Sequence, residues 1–234
     1  MKKFICCLLS VLCLFGIVSC GADKPEATPE PTAEPVGIDL WYDRAERRIN
    51  MQYGSFAEYW SWMCDEFYGD NTQALLGIIG MDDKEAEVSA KKSEYREKYG
   101  EDWHYKLASS EETELDEKTC TDFANELNVI YERTLVLTQA AEGWSDTEWA
   151  DYAAAKGCTV EQAKQVVAAV GNIGLACRDA KVTRALDVTL HLEFSGGSFE
   201  NAELTEDNTL YEVNGVYVSE MLLDCTFALI NLAF

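Results

Sequence analysis

The chain has 234 residues, 47% of them apolar and 11% aromatic, which excludes intrinsic disorder for most of its length. Forty-two acidic residues face 19 basic ones, a formal net charge of −23. A field of that sign repels nucleic acid and anionic lipid headgroups, so no nucleic-acid partner is expected.

The chain opens with Lys2 and Lys3, an uncharged and mostly apolar run from Phe4 to Val18, and Ser19 before Cys20. A charged start, a short apolar core and a small residue are the three parts of a secretory signal peptide. The run is also short of the roughly 20 residues that a membrane-spanning helix needs. The ending Ile17-Val18-Ser19-Cys20 resembles the lipobox of bacterial lipoproteins. The resemblance implies that residues 1–19 are removed and that Cys20 is acylated, the first residue of the mature protein. It also implies an extracytoplasmic address, anchored by lipid to the cell membrane, or to an outer membrane if the cell has one. Each buried methylene of such an anchor contributes about 0.8 kcal/mol. Gly21 stands where some lipoproteins carry an aspartate that retains them at an inner membrane.

Residues 20–36 form a Pro/Glu/Thr linker that holds all four prolines of the chain, Pro25, Pro29, Pro31 and Pro35. It has no large apolar residue before Val36 and is too poor in apolar surface to fold. In polyproline II geometry, at ~3.1 Å per residue, it reaches on the order of 50 Å. Residues 37–234 are read as a single domain. With Lys2 and Lys3 removed, 17 basic residues remain against 42 acidic ones, a net charge of −25. Cys6, Cys7 and Cys13 leave with the signal, so five cysteines remain besides Cys20: Cys64, Cys120, Cys158, Cys177 and Cys225. The number is odd and no Cys-x-x-Cys pair occurs, so thiols acting as small apolar residues are favoured over a disulfide framework.

The domain begins with helical material over Leu40–Met51, interrupted at Gly54-Ser55. Phe56, Tyr59, Trp60, Met63, Cys64 and Phe67 then recur at helical spacing. A solvated helix starts at an Asp82/Glu85 capping box and stops at Gly100. Trp103–Leu107 alternates as a short strand. Asp116 starts a long helix with Cys120, Phe123, Leu127, Ile130, Thr134 and Ala141 on one face, ended by Gly143. Ser145/Glu148 and Thr159/Gln162 are capping boxes of two further helices, the first stopped by Gly157. The second has an apolar face of Val160, Ala163, Val166, Val167, Val170, Ile173 and Cys177. Gly171 and Gly174 interrupt it at about 1 kcal/mol each, which marks a close approach.

From Val182 the period changes to two. Even-numbered residues through Phe194 form the buried face of a long strand ended by Gly196-Gly197. Thr209–Val213 and Val216–Glu220 flank Asn214-Gly215, a type I′ hairpin signal that pairs Val213 with Val216 and Tyr211 with Val218. Met221–Phe234 is apolar nearly all round and is read as a helix packed on the sheet. The fold expected is α+β, with N-terminal and central helices packed on a curved antiparallel sheet that ends in a C-terminal hairpin.

His104 and His191 are the only histidines, and neither lies in a metal-binding pattern. There is no Gly-x-Ser-x-Gly elbow or phosphate loop. The acidic clusters Asp65-Glu66, Asp82-Asp83, Glu111–Glu114 and Glu206-Asp207-Asn208 lack the EF-hand spacing and read as solvated loops and caps. Residues 145–177 have a helix–turn–helix cadence, but the second helix offers only Lys164 before Arg178, which is too little charge to hold DNA phosphates. Trp41, Trp60 and Trp62 suit core packing better than a binding surface. No catalytic residue, metal or cofactor is expected.

Four stretches together resemble a group of uncharacterised lipoproteins of clostridia-type bacteria. They are the lipobox with its acidic linker, Glu97–Trp103, Trp149–Gln165 followed by Ala180–Thr183, and Val213–Tyr217. The last resembles the terminal hairpin of NTF2-like and cystatin-like domains, in which a tryptophan often holds the place of Tyr217. The resemblance implies that architecture and transfers one site, acylation at Cys20. The function expected is a non-catalytic, lipid-anchored binding module for an unknown ligand or protein partner, held to the membrane through Cys20. The alternatives are an envelope or extracellular hydrolase with a pocket in the sheet, and a structural or assembly factor of the envelope.

Overall fold

In the computed structural model the described residues are 36–50, 67–68, 71–78, 83–102, 104–195 and 202–234. The signal sequence, Cys20, most of the linker, the Phe56–Cys64 stripe, the Asp82 cap and Gly196-Gly197 lie outside them. In chain order the described elements are α1 (Ile38–Ile49), α2 (Asn71–Ile78), α3 (Asp83–Tyr99) and β1 (His104–Glu114). Then come α4 (Glu117–Glu142), α5 (Asp146–Lys156), α6 (Val160–Arg178), β2 (Val182–Ser195), β3 (Ala202–Val213), β4 (Val216–Ser219) and α7 (Met221–Ala233). The strands form one antiparallel sheet in the order β1-β2-β3-β4, so the class is α+β. Among the described residues no helix is long and apolar enough to cross a membrane.

The chain groups into two compact units. The first gathers the described residues within Met1–Ser55, Glu85–Glu111 and Thr189–Asp207. Ala45, Arg48 and Ile49 are the buried side of α1. Tyr105 packs on Phe194 with ring centroids 5.2 Å apart, and Leu190 and Leu192 are buried on the same side of β2. The α3 helix buries Val88, and Gly100, at φ 97°, follows its end.

β1 is longer than its apolar alternation suggested. Glu111–Glu114 belongs to the strand rather than to a loop or cap. An edge strand has only one paired flank and half-exposed faces, so carboxylates are tolerated there and even discourage unwanted pairing. β1 also changes phase. Tyr105 meets Phe194 and Glu111 meets His191, although Phe194 and His191 point to opposite faces of β2. Tyr105 and Glu111 are six residues apart and would share a face in a regular strand, so one extra residue, a β-bulge, lies between them. β3 likewise begins at Ala202, well before Thr209, and Glu206-Asp207-Asn208 is mid-strand. Its acids are matched across the strands: Thr189 Oγ1 donates to Asp207 Oδ1 at 2.7 Å.

The second unit gathers the described residues within Phe56–Lys84, Glu112–Val188 and Asn208–Phe234. Asp116 caps α4 by accepting from the Thr119 N–H at 2.9 Å, and that bond holds its carboxyl below its ordinary range. Both predicted capping boxes are closed, Ser145/Glu148 on α5 and Thr159/Gln162 on α6. Gly157 ends α5 in the left-handed conformation, φ 66°. Helix α6 packs against α2, α4, α5 and α7, burying Ala163, Val166, Val167, Val170, Ile173 and Cys177. Val160, expected on that face, is exposed, because it is the first residue of the helix.

The two helix glycines mark the crossing of α4 and α6. A Cβ on Gly171 would lie 3.2 Å from Thr138 Cγ2, and one on Gly174 only 1.9 Å from Thr134 Oγ1. α4 reaches the sheet through Phe123, which stacks on Tyr211 at 3.7 Å and 12°. The hairpin forms with Val213 opposite Val216 and Tyr211 opposite Val218. Asn214 and Gly215 have φ of 54° and 86°, as the type I′ turn requires. Asn214 Oδ1 also accepts from the Lys181 N–H at 3.0 Å, tying the turn to the start of β2. The helix expected at the end of the chain forms as α7, and it packs against α4 and α6, where the sequence suggested the sheet as its support.

Candidate binding surface

The second unit carries a cluster of half-buried aromatic rings that local sequence rules assemble. Gly143 ends α4 and turns the chain into Trp144, whose N–H returns to the Ala141 carbonyl at 3.2 Å. Ser145 is the N-cap of α5, so Trp144 and Trp149 occupy the two positions of a hydrophobic staple. Their rings meet edge to face at 4.8 Å and 78°. Tyr152, three residues beyond Trp149, closes the group at 5.0 Å from Trp144 and 6.4 Å from Trp149. Each such pair contributes about 0.5–1.5 kcal/mol beyond area burial.

Two cations flank the rings. Lys164 Nζ of α6 lies 5.7 Å from the Trp149 ring, and Lys156 Nζ 5.8 Å from Tyr152. The same side chains hold the end of α7: Tyr152 donates its hydroxyl to the Ala233 carbonyl at 2.7 Å, and Lys156 donates to the Leu232 carbonyl at 2.9 Å. Leu232 and Phe234 beside them are 45% and 46% exposed, and the Arg133 guanidinium sits 5.5 Å from the Phe234 ring. The result is an apolar patch with a basic margin on a strongly acidic chain.

Burial, helped by the neighbouring Cys158, pushes the Tyr152 hydroxyl up to about 12 from its ordinary 10.0. Burial lowers Lys156. An acid with a raised native pKa keeps its proton in the fold while the unfolded chain loses it, so its contribution is complete below the unfolded value. Stability is therefore expected to fall as pH rises from about 10 to about 12. Tyr152→Phe should flatten that part of a denaturation-against-pH curve, whereas an unchanged slope would show that Tyr152 is not its source.

The sequence-predicted candidates do not converge on a second site. His104 is exposed, with Nδ1 3.2 Å from the Asp102 carbonyl. His191 Nε2 lies 3.3 Å from Glu111 Oε1 across β1 and β2, close in distance but not aligned as a hydrogen bond. Among the described residues, no group of three His, Cys, Asp or Glu side chains is placed to hold a metal ion. Cys120, Cys158 and Cys177 carry free thiols. Burial pushes the Cys177 thiol up to about 11, and the Tyr68 hydroxyl stands 3.6 Å from its sulfur. Trp41 is half-buried in α1 against Tyr42, while Trp60, Trp62, Cys64 and the acylation candidate Cys20 lie outside the described residues.

Sequence reading singled out the wrong tryptophans. The staple signature, an aromatic residue just before the Ser145 cap and another at the fourth helical position, was there to point to Trp144 and Trp149. No protein-family model, curated protein or solved structure matches the chain.

Proposed function

We propose that the protein is a non-catalytic binding module, anchored outside the cytoplasm by lipid on Cys20 and displayed on the Pro/Glu/Thr linker. The address rests on the lipobox-like Ile17–Cys20 and the composition of residues 21–36. The observation that carries the binding role is the Trp144/Trp149/Tyr152 cluster with Lys156 and Lys164 at its margin. Large aromatic rings left partly open, next to cations, have the composition of interface hot spots. The partner met there is a ligand or protein of the envelope or its surroundings, not nucleic acid and not an anionic bilayer, both of which the net charge disfavours.

The test separates address from binding. Metabolic labelling with a clickable fatty acid should tag the wild-type chain and leave Cys20→Ala untagged; equal labelling of both would refute the anchor. Binding is measured as retention of the chain on envelopes isolated from cells lacking it. Truncating a hot-spot residue costs ~2 kcal/mol or more, so Trp149→Ala should weaken retention roughly thirtyfold. Retention that survives both Trp149→Ala and Trp144→Ala would remove the proposed surface.

A further inference from the structure

A different observation, in the first unit, concerns the outer edge of β1. In the sheet order β1-β2-β3-β4, β1 has a strand on one flank only. An edge of this kind offers backbone N–H and C=O groups to any extended chain. Here two side chains from the end of α1 take those groups. The Asn50 amide engages Tyr105 twice: Nδ2 donates to the Tyr105 carbonyl at 2.6 Å, and the Tyr105 N–H donates to Asn50 Oδ1 at 2.8 Å. One step along the same edge, the Leu107 N–H donates to Glu46 Oε2 at 2.9 Å. A primary amide has the donor and acceptor of a peptide group, so Asn50 pairs with Tyr105 as a residue of a neighbouring strand does. Residues i and i+2 are the positions an added strand would engage on one flank.

Asn50 is held for this role. It is 2% exposed, its backbone N–H and its Nδ2 both donate to the Glu46 carbonyl at 3.0 Å, and it follows Arg48, whose guanidinium is paired with Glu206 of β3 at 2.9 Å. The guarded stretch, His104 to Ser109, carries Lys106 and no carboxylate, whereas Glu111, Glu112 and Glu114 follow beyond the bulge. Antiparallel pairing of two copies through His104–Ala108 therefore sets no carboxylate opposite another within that stretch, and like charges directly opposite are what destabilise cross-strand pairs.

We infer that the Glu46/Asn50 pair is a strand surrogate that keeps β1 from pairing with a second copy of this chain, and that its withdrawal opens a homotypic edge-to-edge interface. The long-range repulsion of two chains of charge −23 opposes that association, so the interface strengthens as salt screens it.

The experiment uses the full-length chain in a non-ionic detergent, wild type against Glu46→Ala/Asn50→Ala. Amide exchange is read at Tyr105 and Leu107, and mass by light scattering over a range of concentration and salt. The double variant should exchange at both amides about tenfold faster or more at low concentration and form a dimer that salt promotes. Leu107→Pro removes the outward N–H without touching the β2 flank, so added to the double variant it should restore the monomer. Asn50→Asp, which keeps the shape but sets a carboxylate oxygen against the Tyr105 carbonyl, is measured in parallel and should speed exchange at Tyr105 even if the double variant fails to fold. Unchanged exchange in the folded variants, an opened edge that stays monomeric at every concentration and salt, or a dimer that Leu107→Pro leaves intact would each overturn the inference.

Discussion

Gly174→Ala is expected to destabilise the second unit by about 3 kcal/mol, the upper part of the ordinary overpacking range. The new methyl would lie 1.9 Å from Thr134 Oγ1 and 2.9 Å from Thr134 Cβ. Thr134 cannot move aside cheaply. It is 1% exposed, stiff at χ1, and its hydroxyl donates to the Tyr131 carbonyl at 2.7 Å. The substitution therefore forces α4 and α6 apart, against a gain in helix propensity of only about 1 kcal/mol. Gly171→Ala is the internal control. It brings the same propensity gain but meets a single methyl, Thr138 Cγ2, at 3.2 Å, and Thr138 is half-buried. Thermal or denaturant unfolding of the two variants should show Gly171→Ala within about 1 kcal/mol of wild type and Gly174→Ala far below it. Thr134→Ala in the Gly174→Ala background removes the 1.9 Å contact and leaves the 2.9 Å one, so recovery should be partial. Equal stability of the two single variants would show that the helices are not in contact at Gly174.

The same pair of glycines shows how far the sequence could be read. Glycine twice within a helix whose ends are otherwise well capped is a local cost, and a local cost in a long helix signals a close neighbour; what the neighbour is lies far away in sequence, in α4. Caps, turn and periods were legible because each is fixed by contacts within a few residues: Ser145 with Glu148, Thr159 with Gln162, Asn214 with Gly215. The acidic halves of β1 and β3 were not. Glu111–Glu114 and Glu206-Asp207 have neither apolar alternation nor β-branched runs, and they are strand only because β2 and α1 supply hydrogen bonds and charge partners from more than 70 residues away in the case of β1, and from Arg48 in the case of β3. The aromatic surface was half-legible. The staple around Ser145 was a local signal, but Lys164 and the carbonyls of Leu232 and Ala233 join it only through packing of α5, α6 and α7.

Arg48 and Glu206 provide the sharpest test of the first unit. They are 158 residues apart in the chain and form an ion pair at 2.9 Å, with side chains only 8% and 15% exposed. An exposed pair would contribute at most about 1 kcal/mol, whereas removing one member of a buried pair typically costs about 3–5 kcal/mol, because the other charge keeps its desolvation cost without its partner. Arg48→Ala should therefore lower stability by about 3 kcal/mol, the low end of that range given the partial exposure of Glu206. The loss should appear as faster amide exchange through α1 and β3, and it should change little between low and high salt, since a buried pair is weakly screened. Glu206→Gln in the Arg48→Ala background should return part of the loss, because it removes the stranded charge while keeping the shape. Joint replacement by apolar residues of similar size, Arg48→Met with Glu206→Leu, should come out close to wild type or above it, since the cost lies in leaving one ion without the other rather than in losing both. A loss under about 1 kcal/mol that disappears in salt would place the pair with surface bridges and leave the docking of α1 to Ala45, Ile49 and Asn50 alone.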